Sequence, residues 1–386
     1  MNNWGLTKGD QWNPAGWDKA LEILARRDEI ALTETYEVPN KVDGWRKLTV
    51  QAIKAINPSA RVYRMYPLMC KGDWDSDWNN PQDTRFMQFP IPKAELDAKD
   101  WWLRDGNGEI VKESSHQWLL DVGKPGYKEA YLEAVLSRNR GKGFDGFVFD
   151  YWWPEISSWL KGAPRPAAYP TDADWFEKAW KPFITYVMDG LHRAGYRVVG
   201  NCVGEFGDTT PEQEFQRSKV DAAIYEQGAI NWWRDGSGWI PGRVIERRIN
   251  AINKDPLEVW VANNGLRDYI EDYDRKKVVA LAMYYVAIPQ VGARRSYHHP
   301  YDWTVYWEPL WDFYIGEPAE PAAVKLAGKY FWSRRYTQGL VLLNYEESES
   351  ITYTLDRTYV DPDGKVLSGN VVLPAHSAMI LRTESR

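Results

Sequence analysis

At 386 residues the chain is long enough for one large domain, or a large domain with a small appendage. Hydrophobic residues at 44% and charged residues at 26% exclude a disordered chain, and a net charge of −6 supplies no basic footprint for nucleic-acid phosphates. No apolar run approaches the roughly 20 residues that span a bilayer, and the most apolar helical stretch, Val278–Val291, is broken by Pro289.

Helical patterns alternate with short apolar runs from about residue 17 to residue 308. Helix Trp17–Arg27 precedes strand Glu29–Tyr36, and helix Trp45–Ile56 precedes a strand in "SARVYRMYPL". Residues 72–116 interrupt this rhythm: "GDWDSDWNNPQD" has loop composition, and "WWLRDGNGEIV" sets an Asp-Gly-Asn-Gly turn between extended arms. A third strand is expected at Trp118–Val122, then helix Tyr127–Arg140, a fourth strand Asp145–Asp150 and a long helix Asp172–Ala194. Strands Arg197–Val203, Ala222–Tyr225, Glu258–Ala262 and one near Arg294–His298 complete the series, with helices Gly242–Ile252 and Arg275–Val286 between the last of them. Eight apolar runs joined by helices predict an α/β fold, a (β/α)8 TIM barrel. An open doubly wound sheet would carry a glycine-rich phosphate turn after its first strand, and "TETYEVPNK" is not one. From Gln338 the period changes to strict alternation around an Asp363–Gly364 turn, which predicts a small antiparallel β domain. The expected division is therefore a catalytic barrel over 1–337, with an insertion at about 72–116, and a C-terminal β-sandwich-like domain over 338–386.

The chain has 22 Trp against 11 Phe. Indole is a costly core residue because its N–H needs a partner when buried. The excess suits flat amphipathic surfaces for sugar rings, although any single Trp is better explained by packing. Cys70 and Cys202 form no disulfide framework and no C-x-x-C. With five His and no H-x-H or H-E-x-x-H, neither a metal nor another cofactor is expected. A G-x-S-x-G elbow for serine hydrolysis is also missing. "MNNWGLTKGD" lacks the layout of a secretory signal, which fits either a cytoplasmic protein or an extracellular one whose leader precedes residue 1.

In a parallel barrel the chemistry sits at the carboxyl ends of the strands. Asp150 ends the fourth strand, Glu226 the sixth, Glu205 lies beyond the fifth, Asp121 is near the end of the third and Glu34 near the end of the first. Such a carboxylate can equally cap a helix or pair with an Arg, and Asp121, ahead of "GKPGYKEAYLEA", fits that reading. Glycoside hydrolysis needs two carboxyl groups, about 5–5.5 Å apart for retention and about 6.5–9.5 Å for inversion. Alternate strands lie roughly 10 Å apart at the backbone, so an inward Asp and a longer Glu can meet either distance. Asp150 is expected to remain charged, and Glu226, beside Tyr225, Trp232 and Trp233, to have its pKa raised by desolvation. Tyr36, Tyr66, Asp121, Asn201, Asn263 and Asn264 are candidate partners of sugar hydroxyls, and Trp152, Trp153, Trp232, Trp233 and Trp303 candidate stacking platforms.

The runs "WWLRDGNGEIV", "WLLDVGKPGYKEAYLEAV" and "GFDGFVFDYW" resemble glycoside hydrolases whose barrel is related to endo-α-1,4-polygalactosaminidases and, more distantly, α-galactosidases. "GFDGFVFD" is similar to their fourth-strand signature. The resemblance implies that Asp150 is the nucleophile and Glu226, in "IYEQ", the acid/base, with Glu205 in "GNCVGEF" as its rival. It also implies that "GLVLLNYEES", "YVDPDGKVL" and "VVLPAHSAMIL" form the β cap common after such barrels. The expected partner is an oligo- or polysaccharide, with an endo-acting, retaining enzyme favoured and no nucleic acid or membrane involved. The competing readings are a non-catalytic carbohydrate-binding protein on the same scaffold and a metal-dependent polysaccharide hydrolase or deacetylase.

Overall fold

The computed structural model describes residues 16–32, 50–72, 89–114, 117–201, 203–204, 209–226, 228–230, 238–262, 272–298 and 307–384. By its internal contacts the chain divides into two units, the first comprising Met1–Gly204, Thr209–Ala223 and Trp303–Val305, the second the remainder.

The first unit carries β1 (Glu29–Leu32), β2 (Arg61–Pro67), β3 (Cys70–Gly72), β4 (Lys112–Ser114), β5 (Gln117–Leu119), β6 (Gly146–Asp150) and β7 (Arg197–Asn201). Strands β1, β2, β6 and β7 lie side by side in that order and run parallel, with Tyr63 opposite Gly146 and Gly146 opposite Arg197. The run Phe147–Val148–Phe149 suits a fully buried parallel strand, and all three side chains are buried. Alternation then assigns the faces. Phe147 packs on Tyr196 and Phe149 on Tyr131 of helix Tyr127–Asn139, so both point to the helix layer. Gly146, Val148 and Asp150 therefore share the opposite, inner face.

The base of β6 is fixed by its own sequence. Gly143 adopts φ +83°, a left-handed conformation that glycine reaches without steric cost. A Cβ on Gly146 would stand 2.3 Å from the Arg197 carbonyl oxygen, so only glycine lets β6 and β7 approach. Asp145 accepts from the Val62 N–H at 2.7 Å and from Lys54 Nζ at 2.7 Å, tying the strand to β2. The two aspartates of "GFDGFVFD" thus differ in kind: Asp145 anchors the strand at one end, and Asp150 stands at the other.

The expected third barrel strand is corrected here. Gln117–Leu119 joins a separate antiparallel sheet of order β3-β5-β4, and β2 pairs directly with β6. The predicted hairpin is present, with Arg104 bridging Ile110 across the Asp-Gly-Asn-Gly turn and Gly108 at φ +86°. The long helix expected over Asp172–Ala194 contains a π turn, Phe176–Trp180, ahead of helix Lys181–Arg193. Pro182 has no N–H for the Lys178 carbonyl and its ring crowds that carbonyl, so the preceding turn widens.

Strand β8 (Ala222–Tyr225) opens in the first unit and ends in the second, which also holds the parallel pair β9 (Glu258–Ala262) and β10 (Arg295–His298). Seven parallel strands are thus present among the described residues. The second unit continues with β11 (Val324–Lys325), β12 (Phe331–Tyr336), β13 (Gly339–Asn344), β14 (Ile351–Thr354), β15 (Tyr359–Val360), β16 (Val366–Leu367), β17 (Asn370–Leu373) and β18 (Ser377–Thr383). All pair antiparallel, in a six-stranded sheet of order β11-β12-β13-β18-β15-β16 and a β14-β17 hairpin, so this region begins ahead of Gln338. The sheets enclose a core that includes Leu340, Leu342, Leu373 and Leu381. Asp361 accepts from the Asp363 and Lys365 N–H groups and Gly364 takes φ +83°, forming the expected turn.

Two buried arginines close helix ends in this unit. Arg295 donates to the carbonyls of Ile252, Asp255, Leu257 and Ala293 at 2.6–2.8 Å, collecting the end of helix Gly242–Lys254. Arg334 of β12, with no exposed surface, donates to the carbonyls of Tyr285, Val286, Ile288 and Glu320 and so covers the end of helix Tyr273–Ala287. The last carbonyls of a helix have no partner within it, and a cation is favoured at that end. No helix among the described residues is long and apolar enough to cross a membrane.

Candidate active site

Asp150 sits at the carboxyl end of β6, on its inner face and half-buried. The register that sets Gly146 opposite Arg197 and Phe149 opposite Gly200 brings Asn201 beside Asp150 on that face. Asn201 is buried and donates its side-chain amide to Asp150 Oδ1 at 3.1 Å. A second donor, the Tyr151 N–H, reaches the same oxygen at 2.8 Å. The strand end is secured by the Leu68 N–H, which donates to the Asp150 carbonyl at 3.0 Å.

The residue that supplies this second donor has an unusual backbone. Tyr151 has φ +63°, a region that costs an L-residue with a Cβ about 1–2 kcal/mol. Its phenol accepts from Gln117 Nε2 at 2.7 Å, and its pKa is pushed far up, first by burial and then by the nearby Asp150 charge. Trp152 is buried, with its indole N–H donating to the Phe149 carbonyl at 2.7 Å, so it is packing and not a platform. Gly200 leaves the room for it, since a Cβ there would meet the Trp152 ring at 3.2 Å. Trp153 remains half-buried and stacks on Trp159 with ring centroids 3.6 Å apart.

Two other residues expected to meet substrate are engaged within the protein. Tyr66 has 1% of its surface exposed and its hydroxyl accepts from Asn139 of helix Tyr127–Asn139 at 2.8 Å, so it faces the helix layer. Asp121 is buried; the Tyr169 hydroxyl donates to its Oδ1 at 2.7 Å and the Gly123 N–H at 3.1 Å. Burial raises its pKa, and those two hydrogen bonds oppose the rise. This is the turn-capping role, and it gives a test. Asp121→Asn keeps an oxygen acceptor and removes a charge whose burial costs stability. The folded pKa is raised, so the wild-type penalty grows as pH rises through the folded value and vanishes below the ordinary carboxylate value. Urea unfolding should find Asp121→Asn equal to wild type at pH 3 and up to about 1 kcal/mol more stable at pH 7.

Glu226 follows β8 directly and is half-buried. In the same unit the Tyr225 hydroxyl donates to Asp255, which fixes the last residue of the strand. Tyr36, Glu205, Trp232, Trp233, Asn263 and Trp303, with Glu34 and Asn264, lie outside the described residues. Among the described residues no group of three or more His, Cys, Asp or Glu is placed to hold a metal ion. Sequence reasoning missed Gln117 and the backbone role of Tyr151. Nothing local marks a Gln on a short strand, and tyrosine is not a residue from which a left-handed turn is read.

Comparison with solved structures gives the fold. The maltogenic α-amylase AmyB of Thermotoga neapolitana is 11% identical with a TM-score of 0.54, covering 100% of this chain and 98% of its own. An α-amylase of Lactobacillus plantarum gives the same identity, coverage and TM-score. The fold is that of the (β/α)8 barrels, followed by a small antiparallel β domain, with the third of the eight predicted strands standing outside the parallel series. No curated protein matches in sequence. The model of hypothetical glycosyl hydrolase family 15 matches residues 54–340; the chain belongs to that family and is a glycoside hydrolase.

Proposed function

We propose that the chain cleaves O-glycosidic bonds within an oligo- or polysaccharide with retention of configuration, Asp150 acting as nucleophile and Glu226 as acid/base. The observation that carries this is the Asp150 carboxylate at a strand end, aimed to the inner face and held by the Asn201 amide and the Tyr151 N–H. Donors on one oxygen favour the charged form and orient the group. An Asp150 oxygen bonds to the anomeric carbon as the C–O bond to the leaving group breaks, and the Glu226 proton passes to the departing oxygen. Glu226 then takes a proton from water, whose oxygen displaces Asp150 and regenerates both groups. Half-buried Trp153 is a candidate sugar platform in the same reading, and Trp232, Trp233, Trp303, Tyr36 and Asn263 belong to it on sequence grounds. The antiparallel C-terminal sheets are ancillary to the barrel in this reading.

The test begins with neutral, acidic and amino-sugar polysaccharides, the released oligosaccharides being identified by mass spectrometry. On the substrate found, Glu226→Ala should lose about 100-fold or more in kcat and recover with azide, which needs no acid/base in the second step. Azide rescue of Glu205→Ala instead would transfer the role to Glu205. A first product of inverted configuration would overturn retention.

A further inference from the structure

The three-stranded sheet β3-β5-β4 has no part in the parallel wall, yet it reaches Tyr151, the residue next to Asp150. Gln117 on β5 stands opposite Gly72 of β3 and Ser114 of β4, and it is 6% exposed. Its side-chain amide donates to the Tyr151 hydroxyl at 2.7 Å. Tyr151 has a left-handed backbone, and its N–H donates to Asp150 Oδ1. The ring is confined further by Trp153, which meets it edge to face with centroids 4.9 Å apart. The phenol is thus gripped at its tip by the small sheet while the amide of the same residue grips the acid. A strained backbone persists only where the surroundings over-determine it, and here the tip contact and the amide contact do so from both ends.

We infer that Gln117 and Tyr151 are positioning residues for Asp150: the Gln117–Tyr151 hydrogen bond fixes the Tyr151 side chain, and with it the residue whose N–H meets Oδ1, and so sets the angle of the Asp150 carboxylate. This rests on the catalytic reading of Asp150 for its effect on turnover, although not for the coupling itself. The consequence is that a sheet outside the barrel wall governs the alignment of the acid. The side chain of Gln117 touches neither the acid nor any reacting atom, so its influence is indirect and has a distinct signature.

The experiment uses the full chain and the paired variant Gln117→Leu/Tyr151→Phe. Replacing both partners of a buried hydrogen bond with apolar groups of similar shape is close to neutral for folding, so unfolding curves should match wild type. The first readout needs no substrate. With 13C-labelled aspartate carboxyl carbons, the Asp150 resonance is assigned by its absence in Asp150→Asn. It should titrate about 0.5 pH unit or more higher in the paired variant, because a misaligned N–H donor favours the charged carboxylate less. The second readout is hydrolysis of the polysaccharide identified by the panel. There kcat should fall about ten- to a hundredfold, KM should stay within about twofold, and the acid limb of the pH profile should move the same way. A wild-type Asp150 titration in the paired variant overturns the coupling, as does wild-type kcat when Asp150→Asn is inactive. Turnover retained in Asp150→Asn defeats the catalytic reading instead, and the carboxyl titration still decides the coupling.

Discussion

Asp150→Asn should fold as wild type and, in the proposed mechanism, lose at least about a thousandfold in kcat on the carbohydrate substrate. The side chain keeps its shape and an oxygen for the Tyr151 N–H, so the environment described around Oδ1 survives. What is lost is the nucleophilic oxygen, because an amide forms no stable bond to an anomeric carbon. Binding should persist, and calorimetry on the inactive variant should return an affinity within a few-fold of the wild-type KM. Retained turnover with unchanged unfolding would exclude Asp150 from the reaction. Loss of both activity and the unfolding transition would instead show a structural role.

The second large effect is on stability. Arg334→Leu should cost about 3–5 kcal/mol in urea unfolding, because four carbonyl groups lose a charged donor in a place from which water is excluded, although the Tyr285 carbonyl keeps the Tyr336 hydroxyl. Three of them, on Tyr285, Val286 and Ile288, end the helix Tyr273–Ala287 and have few other sources of an N–H. Arg334→Lys keeps the charge and loses the planar fork that serves several oxygens at once, so it should recover only part of the loss. An Arg334→Leu midpoint within experimental error of wild type would mean that those carbonyls find other donors at no cost.

The strands were legible wherever an apolar run met a clear break. Ala222–Tyr225 and Glu258–Ala262 match the expectation to the residue. The failure at Trp118–Val122 has a physical reason: a short apolar run reports that a segment is buried, and says nothing of the direction of its neighbours. The π turn was hidden for a related reason, since Pro182 is compatible with the first turn of a helix and its effect falls on residues before it. At the site, Asp150 and Asn201 were visible as polar residues closing apolar strands, and their parallel register brings them together. Trp152 was misread as a platform because composition cannot tell an indole whose N–H is already bonded from one open to a ligand. Tyr66 was misplaced by face, which depends on whether a strand position is odd or even relative to the helices covering it.

The stretch from Asp145 to Asp150 behaves as a ruler. Its foot is pinned by Val62 and Lys54 and by the close approach at Gly146, and its far mark is the acid. Because successive side chains point to opposite sides, adding or deleting one residue between those marks would turn the acid toward the helices. This segment can therefore vary among apolar residues at Phe147, Val148 and Phe149 while its length stays frozen, and with Asp150 in its proposed role any lineage that kept the reaction would have kept the count.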